Sequence, residues 1–319
     1  MAVKERNRSQ MGDDYLQRIK LGGTIESGAI ALGCMRMAGM EIKDAEELVR
    51  TALDEGIDLF DHADIYGGGE SESIFGQVLQ RNPGLREELL IQDKCSIRYD
   101  YYDSSAEHIL QSVDQSLQRL GVETIDLLLL HRPDTLIEPE EVATAFTELH
   151  KTGKVSYFGV SNYNSAQIAL LQKYLDQRLI VNQLQFSLAH TPLIDSGINV
   201  NVQSDHARDL AGHTLEYCRF HDLTIQAWSP LQYGMFEGVF LGSPKYAKLN
   251  HEIELLADQY GVPNSAIAIA WIMRHPAKMQ TIVGTTNTGR LRDICAASKV
   301  RLTREEWYRL YLAAGNPLP

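Results

Sequence analysis

Four residues capable of proton chemistry fall at the ends of three consecutive apolar runs in this chain of 319 residues. The run over residues 57–60 finishes in Asp61, within Phe60-Asp61-His62-Ala63-Asp64-Ile65-Tyr66-Gly67. The next, 89–92, leads into Asp93-Lys94, and the third, 125–130, ends at His131. A free tyrosine titrates at about pH 10, too high for efficient proton donation near neutrality. An ammonium beside it would stabilise phenolate and lower that value, and a carboxylate would hold the ammonium charged and oriented. A histidine could bond the same carbonyl oxygen that the phenol protonates. Asp61, Tyr66, Lys94 and His131 supply those four parts. Singly, each reads as a cap, a salt bridge or packing; ending consecutive strands in order, they read as one site.

Such a site needs a frame that brings successive strand ends to one mouth, and the rest of the chain supplies it. Apolar runs of strand length alternate with amphipathic helical patterns, which predicts βα units and a parallel sheet. Residues 17–21, Gly22-Gly23 and residues 24–26 read as a two-residue hairpin. Strands follow over 30–32, 57–60, 89–92, 125–130, 155–160, 180–184, 223–227 and 279–283. Between them lie helical patterns starting at Asp44, with capping-box-like spacing to Glu47, and over 72–80, a stripe carrying Leu110, Val113, Leu117 and Leu120, then 140–151, 165–175 and 206–220. Two patterns, 248–260 and 265–274, follow the seventh strand; 288–297 follows the eighth, and 304–313 comes last. The expected architecture is one (β/α)₈ TIM barrel domain over residues 1–319, with an N-terminal hairpin at its bottom, two extra helices and an N-terminal arm over 1–14. A doubly wound sheet would want G-x-G-x-x-G after an early strand, and the Gly67-Gly68-Gly69 turn is not that fingerprint.

The composition is that of an ordinary globular protein, 23% charged and 44% hydrophobic. A net charge of −12 argues against a nucleic-acid surface. No apolar run suggests a membrane span, the first residues lack an apolar signal core, and no obligate protein partner is evident. The four cysteines are widely spaced and form no C-x-x-C pair, which fits reduced thiols in the cytoplasm.

Phe60-Asp61-x-Ala63-x-x-Tyr66-Gly67, Lys94 after the third strand, Leu130-His131-Arg132-Pro133-Asp134 and Gly159-Val160-Ser161-Asn162 together resemble the aldo-keto reductases, most closely a bacterial oxidoreductase branch. The likeness spans about residues 17–315. It implies metal-independent hydride transfer between NADPH and an aldehyde or ketone, with Tyr66 as proton donor, Lys94 and Asp61 tuning it and His131 orienting the carbonyl of a small substrate. By the same resemblance Ser161, Asn162 and Gln183 hold the carboxamide, Trp228 stacks on the nicotinamide, and Gly33, Met35 and Asp61 border it. Ser229, Pro230, Leu231 and Gln232 match the pyrophosphate loop. Gly284, Thr285, Thr286 and Arg290 match the segment around the adenosine 2′-phosphate. A helix start near Thr288 favours an anion independently of any resemblance.

Three departures bear on specificity. Gly284 stands where some members carry Lys, and Asp293-Ile294 where the family often has Glu-Asn, so NADH is a weaker second choice to NADPH. The tail lacks a long specificity loop, which implies an open pocket; Met37, Tyr99, Arg132, Tyr163 and Tyr233 are candidates to line it. Two rival readings are a metal-dependent hydrolase using His62, Asp64, His131, His190 and His206, and a cofactor-binding redox sensor. The first leaves Tyr66 and Lys94 without a role, and the second does not need all four groups. Cys34 and Cys95 flank the expected mouth and read as buried structural thiols rather than redox switches.

Overall fold

The computed structural model describes residues 16–319, so the arm expected over 1–14 lies outside them. The chain opens with a hairpin, β1 (Arg18–Leu21) and β2 (Ile25–Gly28). Leu21 pairs with Ile25, so the connection is three residues, not the expected two. Gly22 and Gly23 both take left-handed φ, and Thr24 completes the turn by donating its N–H to the Leu21 carbonyl. The first barrel strand, β3 (Ile30–Gly33), leads to α1 (Ile42–Asp54). That helix starts at Ile42 after Glu41, with no side-chain cap; Asp44 sits in its first turn, where an acid favours the helix dipole.

Then come β4 (Leu59–Asp61) and α2 (Glu70–Arg81), β5 (Leu90–Cys95) and α3 (Ala106–Leu120), β6 (Ile125–Leu130) and α4 (Pro139–Lys151), and β7 (Val155–Ser161) and α5 (Ser165–Gln172). Local chemistry marks the helix ends: Ser105 caps α3, Gly121 stops it in a left-handed conformation, and Asn164 with Gln167 forms a capping box at α5. β8 (Leu179–Gln185) is followed by α6 (Pro192–Ile198) and α7 (Thr214–Phe220). The single helix expected over 206–220 is therefore broken. Gly212 and His213 are left-handed, and the Asp209 carboxylate accepts from the N–H groups of Ala211 and His213, a local turn that outcompetes helix until Thr214.

β9 (Thr224–Trp228) carries a small unforeseen hairpin, β10 (Gln232–Tyr233) with β11 (Gly238–Val239), before α8 (Ala247–Tyr260) and α9 (Asn264–Met273). β12 (Gln280–Val283), α10 (Thr288–Cys295) and α11 (Arg304–Ala313) complete the chain. Strands β3 to β9 pair in sequence, all in parallel, and β12 closes the barrel between β9 and β3.

The sheet is buried on both faces, so its strands are near-continuous apolar runs such as Ile125–Leu130. The bottom of the barrel is filled by Leu59, Leu127, Leu129, Val181 and Ile282, onto which Ile19 and Leu21 of the hairpin pack. The Gly22 N–H donates to Thr224 and its carbonyl accepts from Arg178, which pins the hairpin under β8 and β9. On the outside, Trp271 of α9 and Trp307 of α11 stack at 4.7 Å, each indole N–H donating to the other's carbonyl. No helix among the described residues is long and apolar enough to cross a membrane.

Candidate active site

Parallel pairing continues just beyond the strand ends, and that is what gathers the polar residues. Cys34 N–H donates to the Asp61 carbonyl, His62 to Gln92, Asp64 to Lys94, His131 to Cys95 and Asn162 to Gln183. Each bond ties a residue just past one strand to a backbone carbonyl of the neighbouring strand. Asp61, Lys94 and His131 therefore face one mouth at the C-terminal end of the barrel, where (β/α)₈ enzymes carry their chemistry.

Lys94 is completely buried, and its ammonium sits 2.7 Å from Asp61 Oδ1 and 2.6 Å from the His62 carbonyl oxygen. Burial pulls such an ammonium down, but Asp61 and Tyr66 outweigh it and hold Lys94 above its ordinary value. The ammonium lies 5.0 Å from the centre of the Tyr66 ring. Tyr66 in turn meets His131 edge to face, with ring centres 6.0 Å apart. Burial pushes the Tyr66 hydroxyl up to about 12, against the pull of Lys94. The expected lowering by lysine is thus present but smaller than the desolvation it opposes. His131 is held well below the usual histidine range by burial, Lys94 and Arg132, so its ring is neutral.

A glutamine network lies beneath the pair. Gln92 and Gln183 both donate to Asp61 Oδ1, and both donate to Gln226 Oε1. Gln226 donates back to Gln92 and on to Gln280, which reaches Ser27 and the Gly28 carbonyl at the hairpin. Gln226 and Gln280 escaped the sequence analysis, although each is the only uncharged amide interrupting its apolar strand, and that interruption was the available signal. In a low-dielectric interior the satisfied network fixes Asp61 in one orientation.

The residues expected to hold a cofactor fall in two groups. Around the tetrad, Ser161 donates to the Gln183 carbonyl, Asn162 donates to Ser161 and to the His131 carbonyl, and Trp228 donates its indole N–H to Asn162 Oδ1 at 3.1 Å. Phe236 stacks on Trp228. Gly33 ends β3, and a Cβ there would press to 3.1 Å from Ile282; Met35 beside it is exposed. The second group forms a lip. Arg36 donates to the Gly284 carbonyl, Asn287 caps α10 through the Arg290 N–H, and Thr285, Thr286 and the exposed Arg290 surround that helix start. The Arg290 guanidinium has no ion-pair partner among the described residues. Ser229 takes a left-handed φ, Pro230 and Leu231 follow it, and Gln232 leaves a buried amide oxygen without a partner. An exposed unpaired arginine, a capped helix start and an orphaned amide suit a dinucleotide.

Other candidates are placed elsewhere. Met37 and Tyr163 are buried, the Tyr163 hydroxyl donating to the Arg132 carbonyl, while Tyr99 is wholly exposed and Tyr233 lies under Lys245. Burial pushes the Cys34 and Cys95 thiols up, with the Asp61 and Asp64 charges adding to it, so neither is a ready thiolate. Among the described residues no three His, Cys, Asp or Glu side chains are placed to share a metal ion, and His62 is packed against Phe75 instead.

A closed eight-stranded parallel barrel with these strand ends defines the aldo-keto reductase class. Residues 29–311 match the model of the aldo/keto reductase family, and the chain belongs to that family. It is 34% identical over 319 residues to the oxidoreductase YcsN of Bacillus subtilis, covering 95% of this chain and all of that one. A 6-dehydroglucose reductase of Agrobacterium fabrum is 36% identical over 313 residues, or 94% of this chain and 98% of its own. The crystal structure of a thermostable aldo-keto reductase shares the fold at a TM-score of 0.75 and 24% identity, over 93% of this chain and 100% of that one. The protein is thus an NAD(P)H-dependent oxidoreductase of the carbonyl-reducing kind.

Proposed function

We propose that this protein reduces small aldehydes and ketones with NADPH, Tyr66 acting as the general acid assisted by Lys94, Asp61 and His131. The observation that carries the reading is the buried Lys94–Asp61 pair set beneath a tyrosine that faces a neutral histidine. A bound nicotinamide supplies hydride from its C4. The protein's part is to place and protonate the carbonyl oxygen. At neutral pH the Tyr66 phenol keeps its proton, and a neutral His131 ring carries one N–H able to bond the same oxygen. As negative charge grows on that oxygen it becomes more basic than the phenol and takes the Tyr66 proton. The Lys94 ammonium, kept charged by Asp61, stabilises the phenolate left behind.

Ser161, Asn162 and Gln183 are suited to hold the carboxamide, and Trp228 offers a flat face to the ring. NADPH is favoured over NADH because the lip around Gly284, Thr285 and Thr286 presents an unpaired Arg290 and a helix start to a 2′-phosphate. A polyhydroxylated aldehyde is the first substrate class to test, given the activity in the name of the Agrobacterium fabrum relative. We place the protein in the cytoplasm, where its buried, unpaired Cys34, Cys95, Cys218 and Cys295 would stay reduced.

The test is Tyr66→Phe, assayed with NADPH and either 4-nitrobenzaldehyde or 6-dehydroglucose. Turnover is expected to fall by about 10²- to 10⁴-fold while NADPH affinity is retained. Turnover near the wild-type rate would assign the proton to another group and overturn the reading.

A further inference from the structure

Directly after Tyr66 come three glycines whose conformation the chemistry above does not use. Gly67, Gly68 and Gly69 have φ of 60°, 66° and 92°, all left-handed. Backbone conformation favours glycine at all three, and at Gly67 space requires it as well. A Cβ on Gly67 would lie 2.4 Å from the Ala38 side chain, and a Cβ on Gly69 would lie 2.8 Å from Cδ and Nε of Arg119. The turn that carries Tyr66 is therefore held from both sides.

Arg119 comes from the last turn of α3 and reaches across to α2. Its Nε donates to Glu72 Oε2 at 2.7 Å and its Nη2 to Ser116 at 3.2 Å. Glu72 is fully buried, in the first turn of α2, three residues beyond Gly69. Gly76, two turns along the same face of α2, lies against the Arg119 backbone; a Cβ there would meet the carbonyl oxygen at 2.3 Å. Two glycines seven residues apart thus open a slot for this one residue. On the other side, Ser71 accepts the Ala38 N–H, which ties the start of α2 to the loop after β3.

Arg119 makes its ion pair with Glu72, beside two further carboxyls. Asp64 and Asp93 lie within electrostatic reach of Glu72, and all three leave one oxygen buried without a partner. Burial and the Glu72 charge push both carboxyls up. The Arg119–Glu72 ion pair, at 2.7 Å, abuts the glycine turn.

We propose that Arg119, clamped by Glu72 and packed against Gly69, is a positioning residue for Tyr66. It touches neither substrate nor cofactor; it fixes the turn and with it the phenol above Lys94. The inference rests on Tyr66 being the proton donor.

Three variants test it: Gly69→Ala, which displaces the guanidinium without removing charge; Arg119→Met combined with Glu72→Gln, which removes the pair together; and Arg119→Lys. Each is assayed with NADPH and 4-nitrobenzaldehyde, alongside Tyr66→Phe, with melting temperature, NADPH Kd and the solvent deuterium isotope effect on kcat. The Gly69→Ala and double variants are expected to lose about tenfold or more in kcat, with Kd within about twofold and a larger isotope effect as proton transfer becomes limiting. Arg119→Lys should recover part of kcat. If Gly69→Ala and the double variant keep kcat within about twofold and an unchanged isotope effect while Tyr66→Phe is inactive, Arg119 merely ties two helices together and the proposal fails. Should the double variant not fold, Glu72→Gln, which loosens the clamp and leaves Gly69 in place, decides by the same readouts, because Gly69→Ala also strains a backbone at φ 92°. Turnover by Tyr66→Phe would instead remove the donor on which the inference rests.

Discussion

Lys94 Nζ lies 2.7 Å from Asp61 Oδ1, with the lysine side chain 0% and the aspartate 3% exposed. Taking two charges out of water costs several kcal/mol each, and their attraction repays this only with additional hydrogen bonds. Asp61 Oδ1 has those bonds from Gln92 and Gln183, and Lys94 has one to the His62 carbonyl. Asp61→Asn leaves the ammonium buried without its counter-charge and is expected to cost about 3–5 kcal/mol of stability, as is Lys94→Met. The double variant Asp61→Asn with Lys94→Met should regain most of that stability and none of the turnover. Urea melts and steady-state rates on the three proteins check this. Additive stability losses in the double variant would mean that the two charges are not coupled.

That pair was legible in the sequence because parallel strands put consecutive strand ends side by side, and residues one βα unit apart must then meet. The barrel itself was legible because buried parallel strands are unbroken apolar runs. The failures have equally local causes. The helix expected over 206–220 has adequate periodicity, but Asp209 bonds its own backbone and Gly212 turns left-handed, and periodicity sees neither. Gln226 and Gln280 lie in strands that are otherwise largely apolar, and nothing short of the closed barrel shows that they bond each other. Arg119 is fifty residues from Gly69 in the chain, and no local pattern reports a contact made by the absence of a Cβ.

The carboxyl of Asp64 gives the fold an unusual dependence on pH. Its value is pushed up to about 7 by burial and by Glu72, against about 3.9 for an unfolded aspartate. An acid whose pKa rises on folding stabilises the native state when protonated. The contribution is therefore full below about pH 4 and lost as pH rises through 7. His62, held at about 3 by burial and Lys94, has the opposite slope, its contribution lost as pH falls from about 6.5 toward 3. Asp64→Asn removes only the first. Relative to that variant, the wild type is expected to lose stability between about pH 4 and 7, with a ceiling of about 4 kcal/mol. Urea midpoints at four pH values provide the measurement, and parallel curves would show that Asp64 titrates normally.

Trp228 donates to Asn162, which itself has a left-handed φ of 63° and bonds the His131 carbonyl. The indole is thereby fixed at the mouth, while Trp271 and Trp307 are buried in their mutual stack. Fluorescence quenching by NADPH is expected to come almost wholly from Trp228. Trp228→Phe should abolish the quenching while calorimetric affinity falls by no more than about tenfold, a ring face being retained. Quenching that survives in this variant would place the nicotinamide away from Trp228.

Arg290 tests the choice of cofactor most directly. Its backbone N–H is engaged by Asn287, but its guanidinium is exposed and free of any ion pair among the described residues, at the start of α10. Two features there favour a phosphate dianion: the partial positive charge of the helix start, and a planar fork able to donate two hydrogen bonds at once. Only NADPH carries the 2′-phosphate; the rest of the molecule is shared with NADH. A hydrogen bond to a charged group contributes about 1.5–3 kcal/mol, so Arg290→Ala should weaken NADPH by roughly 10- to 100-fold and leave NADH within about twofold. Arg290→Lys should restore part of the difference, since an ammonium keeps the charge but not the fork. Equal losses for both cofactors would mean that Arg290 shapes the lip rather than reads the phosphate, and would remove the support it lends to NADPH over NADH.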